Sequence, residues 1–240
     1  MPQNNHKIGC LIIHGFTSHR SSLEAVIPGL EKRGIVWHYP ILAGHGTKPD
    51  DLADKTWSHW QADAEQGYQY LLPATDQIVI IALSMGALLG LELAANHPDK
   101  IAGLVLLSPA LHFKSKLAKF TPYISKVVKR FYYPKMAKFN SIEVEKLDKG
   151  YPWFPTSAFK HYWHRTRDFD AVLKKIHQPV LIIHAKKDRL AAPSGAQRIF
   201  DHIQSKEKRI VWLEYSGHEI LLDGETDKTL QYIFAFRLFN

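Results

Sequence analysis

Residues 78–90 read Ile-Val-Ile-Ile-Ala-Leu-Ser-Met-Gly-Ala-Leu-Leu-Gly, and no other stretch restricts the chain's fold as much. An apolar run rich in β-branched residues, Ile78 to Ala82, leads into Ser84, and a helix-forming stretch from Ala87 to Asn96 follows at once. A strand that turns straight into a helix needs a very tight bend, which pushes the residue at its apex into a strained conformation. Ala82 and Gly86, two residues either side of the serine, are small enough to let strand and helix approach. The pattern is that of a nucleophile elbow, G-x-S-x-G with Ala82 at its first position, which holds a serine hydroxyl clear of the backbone above a parallel sheet. The competing reading makes Ser84 a simple N-cap of the following helix. Serine is a poor nucleophile until a base takes its proton, so the elbow predicts a histidine and an acid elsewhere.

Strand-like runs occur at Ile8–Ile13, Ile35–Tyr39, Gln77–Ala82, Ala102–Leu107, Val180–His184 and Arg209–Leu213. Most are continuously apolar, as strands covered on both faces must be. Helical patterns lie between them: Leu23–Lys32, Trp57–Leu72, Leu88–Asn96, Ser194–Ile203 and Thr226–Phe239. Strands alternating with helices predict an α/β fold with a mostly parallel sheet and right-handed crossovers. The alternation stops between 111 and 177, where aromatics, prolines and lysines replace any clear strand; short helices are expected at Tyr123–Phe131, Ser141–Leu147 and Thr156–Lys175. The stretch is too short and irregular to bury a core of its own, so 1–110 and 178–240 are assigned to the core and 111–177 to an inserted cap.

The 240 residues suit one large α/β domain. No apolar run reaches the length of a membrane span, and the polar N-terminus has no signal-peptide character, so a cytoplasmic protein is expected. The single cysteine, Cys10, sits mid-strand and reads as a buried, inert thiol that cannot form an internal disulfide. The formal net charge is +8, and between Asp99 and Glu143 there is no acidic residue while Lys100, Lys114, Lys116, Lys119, Lys126, Lys129, Arg130, Lys135 and Lys138 all occur. Such a cluster suits a solvated basic face or an anionic partner. No nucleic-acid-binding signature accompanies it, and no nucleic acid is expected to bind.

Fourteen histidines compete for the role of base, so position must choose. His218, in Tyr-Ser-Gly-His-Glu, follows the last strand, and Asp188, in His-Ala-Lys-Lys-Asp-Arg-Leu, follows the one before. Loops at the carboxyl ends of parallel strands lie over the sheet, where the elbow also points. Alone, Asp188 reads as a turn residue and His218 as a surface histidine; the order Ser, Asp, His makes them a candidate triad. Two oxyanion donors are also needed, and the backbone N–H groups of Met85 and Phe16 are the candidates, with Gly15 letting the loop His14-Gly15-Phe16-Thr17-Ser18 turn. His45, in Gly44-His45-Gly46, reads as a loop-organising residue. No histidine set has metal-ligand spacing, and neither a metal nor a cofactor is expected.

His14-Gly15-Phe16-Thr17, Gly44-His45-Gly46, Leu83-Ser84-Met85-Gly86, Asp188 and Ser216-Gly217-His218 together resemble an α/β-hydrolase of the bacterial carboxylesterase and monoacylglycerol-lipase group. The resemblance runs over nearly the whole chain, with 111–177 matching in placement only, and Ala82 replaces the commoner glycine. It implies a sheet of six to seven strands that lacks the first two strands of the full eight, a small lid, and hydrolysis of carboxylic esters. Monoacylglycerols are the preferred substrates and short-to-medium acyl esters the expected assay range. Amide hydrolysis, carbon–carbon hydrolysis and acyl transfer on the same fold, or a basic non-catalytic binding module, are the alternatives. The aromatics of 111–177 suit either an acyl pocket or plain packing, and the candidate pocket residues are Phe16, Tyr123, Trp153, Trp163, Leu190 and Ile220. The mixture of lysines and aromatics also suggests transient contact with an anionic membrane surface.

Overall fold

The computed structural model describes residues 7–134, 136–146 and 148–239. Strand β1 (Ile8–Ile13) is followed by short 3-10 turns and helix α1 (Ile27–Glu31), then β2 (Val36–His38), α2 (Trp57–Leu71), β3 (Gln77–Leu83), α3 (Met85–Asn96) and β4 (Ile101–Leu107). The inserted segment carries α4 (Thr121–Ile124), β5 (Arg130–Tyr132), α5 (Ile142–Glu145), β6 (Trp153–Pro155), α6 (Thr156–Arg167) and α7 (Asp170–Leu173). The core resumes with β7 (Val180–Ala185), α8 (Pro193–His202), β8 (Lys208–Leu213) and α9 (Thr226–Phe234).

Six strands form one sheet in the order β2-β1-β3-β4-β7-β8, every pair parallel. All six sequence-predicted strands are present, and the fold is the mostly parallel α/β architecture expected. Successive residues of a strand face opposite sides. On one side Leu11, Ile13, Ile78, Ile80, Ala82, Leu104 and Leu106 pack with α2, α3 and α8 residues such as Trp60, Leu88 and Ile199. On the other, Cys10, Ile12, Val79, Ile81, Val105 and Leu107 pack with Leu30 of α1 and Ile233 of α9. Helices on both faces account for the continuous apolar runs. Burial pushes the Cys10 thiol pKa up, which suits an inert thiol.

The chain leaves β1 toward β2 on one side and returns to β3 on the other. That reversal opens a crevice at the carboxyl ends of β1 and β3, where the Phe16 loop and Ser84 stand.

Several helical expectations need correction. The predicted helix Leu23–Lys32 is helical from Glu24, as a 3-10 turn over Glu24–Val26 that runs into the α-helix Ile27–Glu31, with Pro28 in the first α turn, where a missing N–H costs nothing. Thr226–Phe239 ends its α-helix at Phe234. The predicted helix Thr156–Lys175 is broken at Asp168 into α6 and α7, and Ser141–Leu147 shrinks to α5, with Leu147 and the lysine at 135 outside the described residues. Tyr123–Phe131 holds only the end of α4, and its last residues join a strand. Contrary to the strandless reading of 111–177, β5 pairs antiparallel with β6, Phe131 opposite Phe154. Three-residue strands about twenty positions apart leave no local period to read.

Candidate active site

Ser84 sits at φ 57°, ψ −116°, between β3 and α3. A non-glycine residue held there costs on the order of 1–3 kcal/mol, which only a surrounding structure that over-determines the bend can sustain. The constraints are visible. A Cβ at Gly86 would lie 2.4 Å from the Ile13 carbonyl oxygen, and one at Gly15 would lie 2.9 Å from the Ser84 Cβ. Gly15 is therefore needed for close approach. The turning conformation expected of it belongs to Thr17, at φ 60°. The Ala82 methyl is fully buried and faces α3 near Gly90, where the space accepts it.

Ser84, Asp188 and His218, brought from the ends of β3, β7 and β8, form a hydrogen-bonded row. His218 Nε2 lies 2.9 Å from Ser84 Oγ, and His218 Nδ1 lies 2.7 Å from Asp188 Oδ2. The other carboxylate oxygen, Asp188 Oδ1, accepts the N–H groups of Leu190 and Ala191, each at 2.8 Å. All three side chains are buried. Burial alone would raise the Asp188 pKa, but His218, His184 and the Leu190 N–H hold it below the ordinary carboxylate value. Burial would likewise lower His218, and the Asp188 charge and hydrogen bond outweigh it, raising its pKa above the ordinary histidine value.

The loop after β1 is set by two neutral histidines. His14 Nε2 accepts the Leu42 N–H at 3.1 Å, so its Nδ1 donates to the Gly15 carbonyl at 2.9 Å. His45 Nε2 accepts the Thr17 N–H at 3.0 Å, leaving Nδ1 to donate to the Leu42 and Ala43 carbonyls. Burial lowers both pKa values, that of His14 to about 4. The Phe16 N–H between these anchors has no protein acceptor among the described residues. The Met85 N–H opens α3, where an N–H has no intrahelical acceptor.

A cavity of about 580 Å³ reaches Ser84 and His218. Its wall includes Phe16, Leu190, Tyr133, Phe154, Phe159 and Tyr162. Phe16 is ringed by Trp60, Phe154, Phe159 and Tyr162, with ring centroids 5.3–6.0 Å away. Four expected pocket residues fall elsewhere. Trp153 and Trp163 lie outside the cavity, and their neighbours Phe154 and Tyr162 line it instead, because adjacent residues on a strand or helix face different ways. Ile220 is in the core on the far side of the sheet, while Glu219 lines the cavity. Tyr123 is 78% exposed on the outer surface. Lys138, Glu219 and Tyr133 also line the cavity; the sequence assigned none of them to the site, since a lone lysine, glutamate or tyrosine carries no spacing signal. Among the described residues no group of three or more histidine, cysteine or acidic side chains is placed to hold a metal, and no helix is long and apolar enough to cross a membrane.

Comparison with known proteins agrees with this architecture. Residues 4–225 match the family described as serine aminopeptidase, S33. The thermostable monoacylglycerol lipase of Bacillus sp. (strain H-257) is 32% identical over 97% of this chain and 91% of its own length. The carboxylesterase of Bacillus subtilis (strain 168) is 26% identical over 94% of this chain and 90% of its own. A structure reported for LipS and LipT, two metagenome-derived lipolytic enzymes, superposes with a TM-score of 0.89 at 28% identity, covering 96% of this chain and 93% of that one. The chain belongs to the S33 serine hydrolase family and, within it, to the carboxylesterase and monoacylglycerol-lipase group of α/β-hydrolases.

Proposed function

We propose that the chain hydrolyses carboxylic esters through an acyl-enzyme formed on Ser84. The observation that carries this reading is the row Ser84 Oγ, His218, Asp188, at 2.9 and 2.7 Å. His218 Nε2 takes the serine proton as Oγ attacks the ester carbonyl, and returns it to the departing alcohol. Asp188 holds the proton on Nδ1 and stabilises the imidazolium; its own geometry is held by the two N–H groups on Oδ1. The N–H groups of Phe16 and Met85 receive the oxyanion. Water, activated by the same histidine, then releases the acid.

The aromatic cavity and the likeness to a monoacylglycerol lipase support a lipid-like ester, with short-to-medium acyl chains and monoacylglycerols as the substrate class. Segment 111–177 acts in this reading as a cap whose side chains wall the acyl site. Purified protein should hydrolyse p-nitrophenyl butyrate and monocaprylin, and Ser84→Ala should lose at least about 10³-fold in kcat. Retained activity in that variant, or faster hydrolysis of aminoacyl anilides than of esters, contradicts the proposal.

The outer face of this cap supports contact with an anionic lipid surface. Of the twelve large apolar side chains exposed among the described residues, eight lie between Leu117 and Tyr132; Leu117, Phe120, Ile124 and Phe131 of these also line the cavity, and Tyr123, Val127, Val128 and Tyr132 do not. Lys116, Lys119, Lys126, Lys129 and Arg130 are exposed among them, Arg130 bridging to Asp50 at 3.2 Å. Two such faces brought together would repel, and the aliphatic side chains suit acyl chains better than phosphodiesters. Sedimentation with vesicles containing phosphatidylglycerol should exceed that with phosphatidylcholine alone; equal sedimentation, or preferential retention by RNA, contradicts the contact.

A further inference from the structure

Lys138 is an unusual residue to find beside an apolar cavity. It is only 6% exposed. Its ammonium donates to Asp148 Oδ2 at 2.8 Å and to the Tyr151 carbonyl at 3.3 Å, and lies 5.1 Å from the centre of the Tyr133 ring. Breaking a buried ion pair leaves an uncompensated charge, whereas replacing both partners by apolar groups is often tolerated. A pair kept in such a place invites the question of what it holds.

The contacts run in two directions. The Lys138 carbonyl accepts the N–H of His218 at 2.7 Å and that of Glu219 at 3.2 Å. A Cβ at Gly217 would lie 2.6 Å from the same carbonyl oxygen, so the approach has no slack. Through the ammonium, Lys138 reaches Tyr151, whose N–H donates to the Thr17 carbonyl at 2.8 Å and whose hydroxyl donates to the Gly44 carbonyl at 3.0 Å. A Cβ at Gly150 would lie 2.7 Å from Lys138 Nζ and 2.9 Å from the Thr17 oxygen. One residue of the inserted segment thus touches the loop of the proposed base with its backbone and, through its side chain, the loop that presents the Phe16 N–H.

We infer that Lys138, paired with Asp148, is a positioning residue: it fastens the inserted segment between the His218 loop and the Phe16 loop and sets the distance from base to oxyanion donor. The inference rests on the ester-hydrolase reading, since it concerns the alignment of that site. Misplacement by about 1 Å can cost about 10²-fold in rate even when no reacting group is removed. Charge supplies an independent readout. His218 is faced by Asp188 and Ser84, by His184 from β7, by Glu219 on its own loop and by Lys138 from the segment; burial pulls its pKa down most, Asp188 and Glu219 oppose that, and Lys138 adds to it. Removing the lysine charge favours the imidazolium, so the acid limb of the pH–rate profile moves to higher pH.

The full-length protein is assayed on p-nitrophenyl butyrate, with covalent labelling of wild-type Ser84 by a fluorophosphonate establishing that the hydrolase reading itself stands. Lys138→Met should lower kcat by about 10- to 100-fold with KM changed less than about threefold. Its acid limb should rise. Lys138→Arg, which keeps charge and hydrogen bonds, should restore most of the rate and return the limb. The double variant Lys138→Met with Asp148→Leu should regain thermal stability without regaining kcat. If Lys138→Met does not fold, Asp148→Asn should show the kcat loss in its place. A wild-type kcat in these variants, a loss confined to KM, an unmoved acid limb, or a rate that returns together with stability in the double variant overturns the inference.

Discussion

From Ile78 to Leu83 every side chain of β3 is buried, whereas from Lys126 to Tyr132 in the inserted segment every one is exposed. Both stretches border the same cavity region: β3 leads into Ser84, and both Ser84 and Phe131 line the wall. In the sheet, burial on two faces and a parallel register leave each residue one neighbourhood. The segment instead attaches at chosen points. Tyr162 donates its hydroxyl to the Ala110 carbonyl at 2.9 Å, Arg165 pairs with the buried Glu92, and Lys138 reaches the His218 loop. On the proposed reading, chemistry that needs distances held within a fraction of an ångström resides at the strand ends, and surfaces that meet variable substrates reside on the segment.

If that division is right, changes at strand ends should strike kcat for every ester alike. Asp188→Asn should cost on the order of 10³–10⁴-fold in kcat, because the amide favours the wrong imidazole tautomer. A loss under tenfold would show that the carboxylate is dispensable. Gly86→Ala drives a methyl into the Ile13 and His14 carbonyls, at 2.4 and 2.5 Å, and should destabilise the fold by about 1–3 kcal/mol in a denaturation curve. An unchanged midpoint there would mean that the elbow is looser than its contacts imply.

Changes in the segment should discriminate between substrates. Phe159, 4.9 Å from Phe113 and 5.2 Å from Phe154 by ring centroid, lines the cavity without a hydrogen-bonding group to offer the reaction. Phe159→Ala should change the ratio of kcat/KM for octanoate over acetate esters by about 10-fold, a loss of one aromatic contact. Equal effects on both esters would move this residue into the catalytic alignment. The smallest expected effect is on pH. If His218 is the base proposed, it must be neutral to act; its pKa is raised above the ordinary value of 6.5, so wild-type kcat/KM should fall as pH drops through a point above 6.5. An acid limb below 6.5 contradicts the coupling to Asp188.

How much was legible in the chain follows the same division. Ile8–Ile13 is a buried strand with the bounds its apolar run suggests, and Ser84, Asp188 and His218 stand after the strands that place them together. Each of those signals is local: a run, a small residue at a set offset, an order. The pocket depends on which way a side chain leaves its backbone. Trp153 is one position from Phe154 on a three-residue strand, and Tyr123 lies on the outside of a four-residue helix; neither element has a period long enough to orient it, whereas Trp163 shares the longer α6 with Tyr162, whose buried face is set by packing that no local signal specifies. Lys138 and Glu219 gain their meaning only from neighbours distant in the chain.

The central claim is that Ser84 is the activated nucleophile of this site. Reaction of the native protein with a fluorophosphonate, followed by peptide mass mapping, tests it most directly. A single adduct on Ser84, absent from Asp188→Asn on the same time scale, is the result this account predicts. Labelling at another residue, or no labelling of folded wild-type protein, would contradict it.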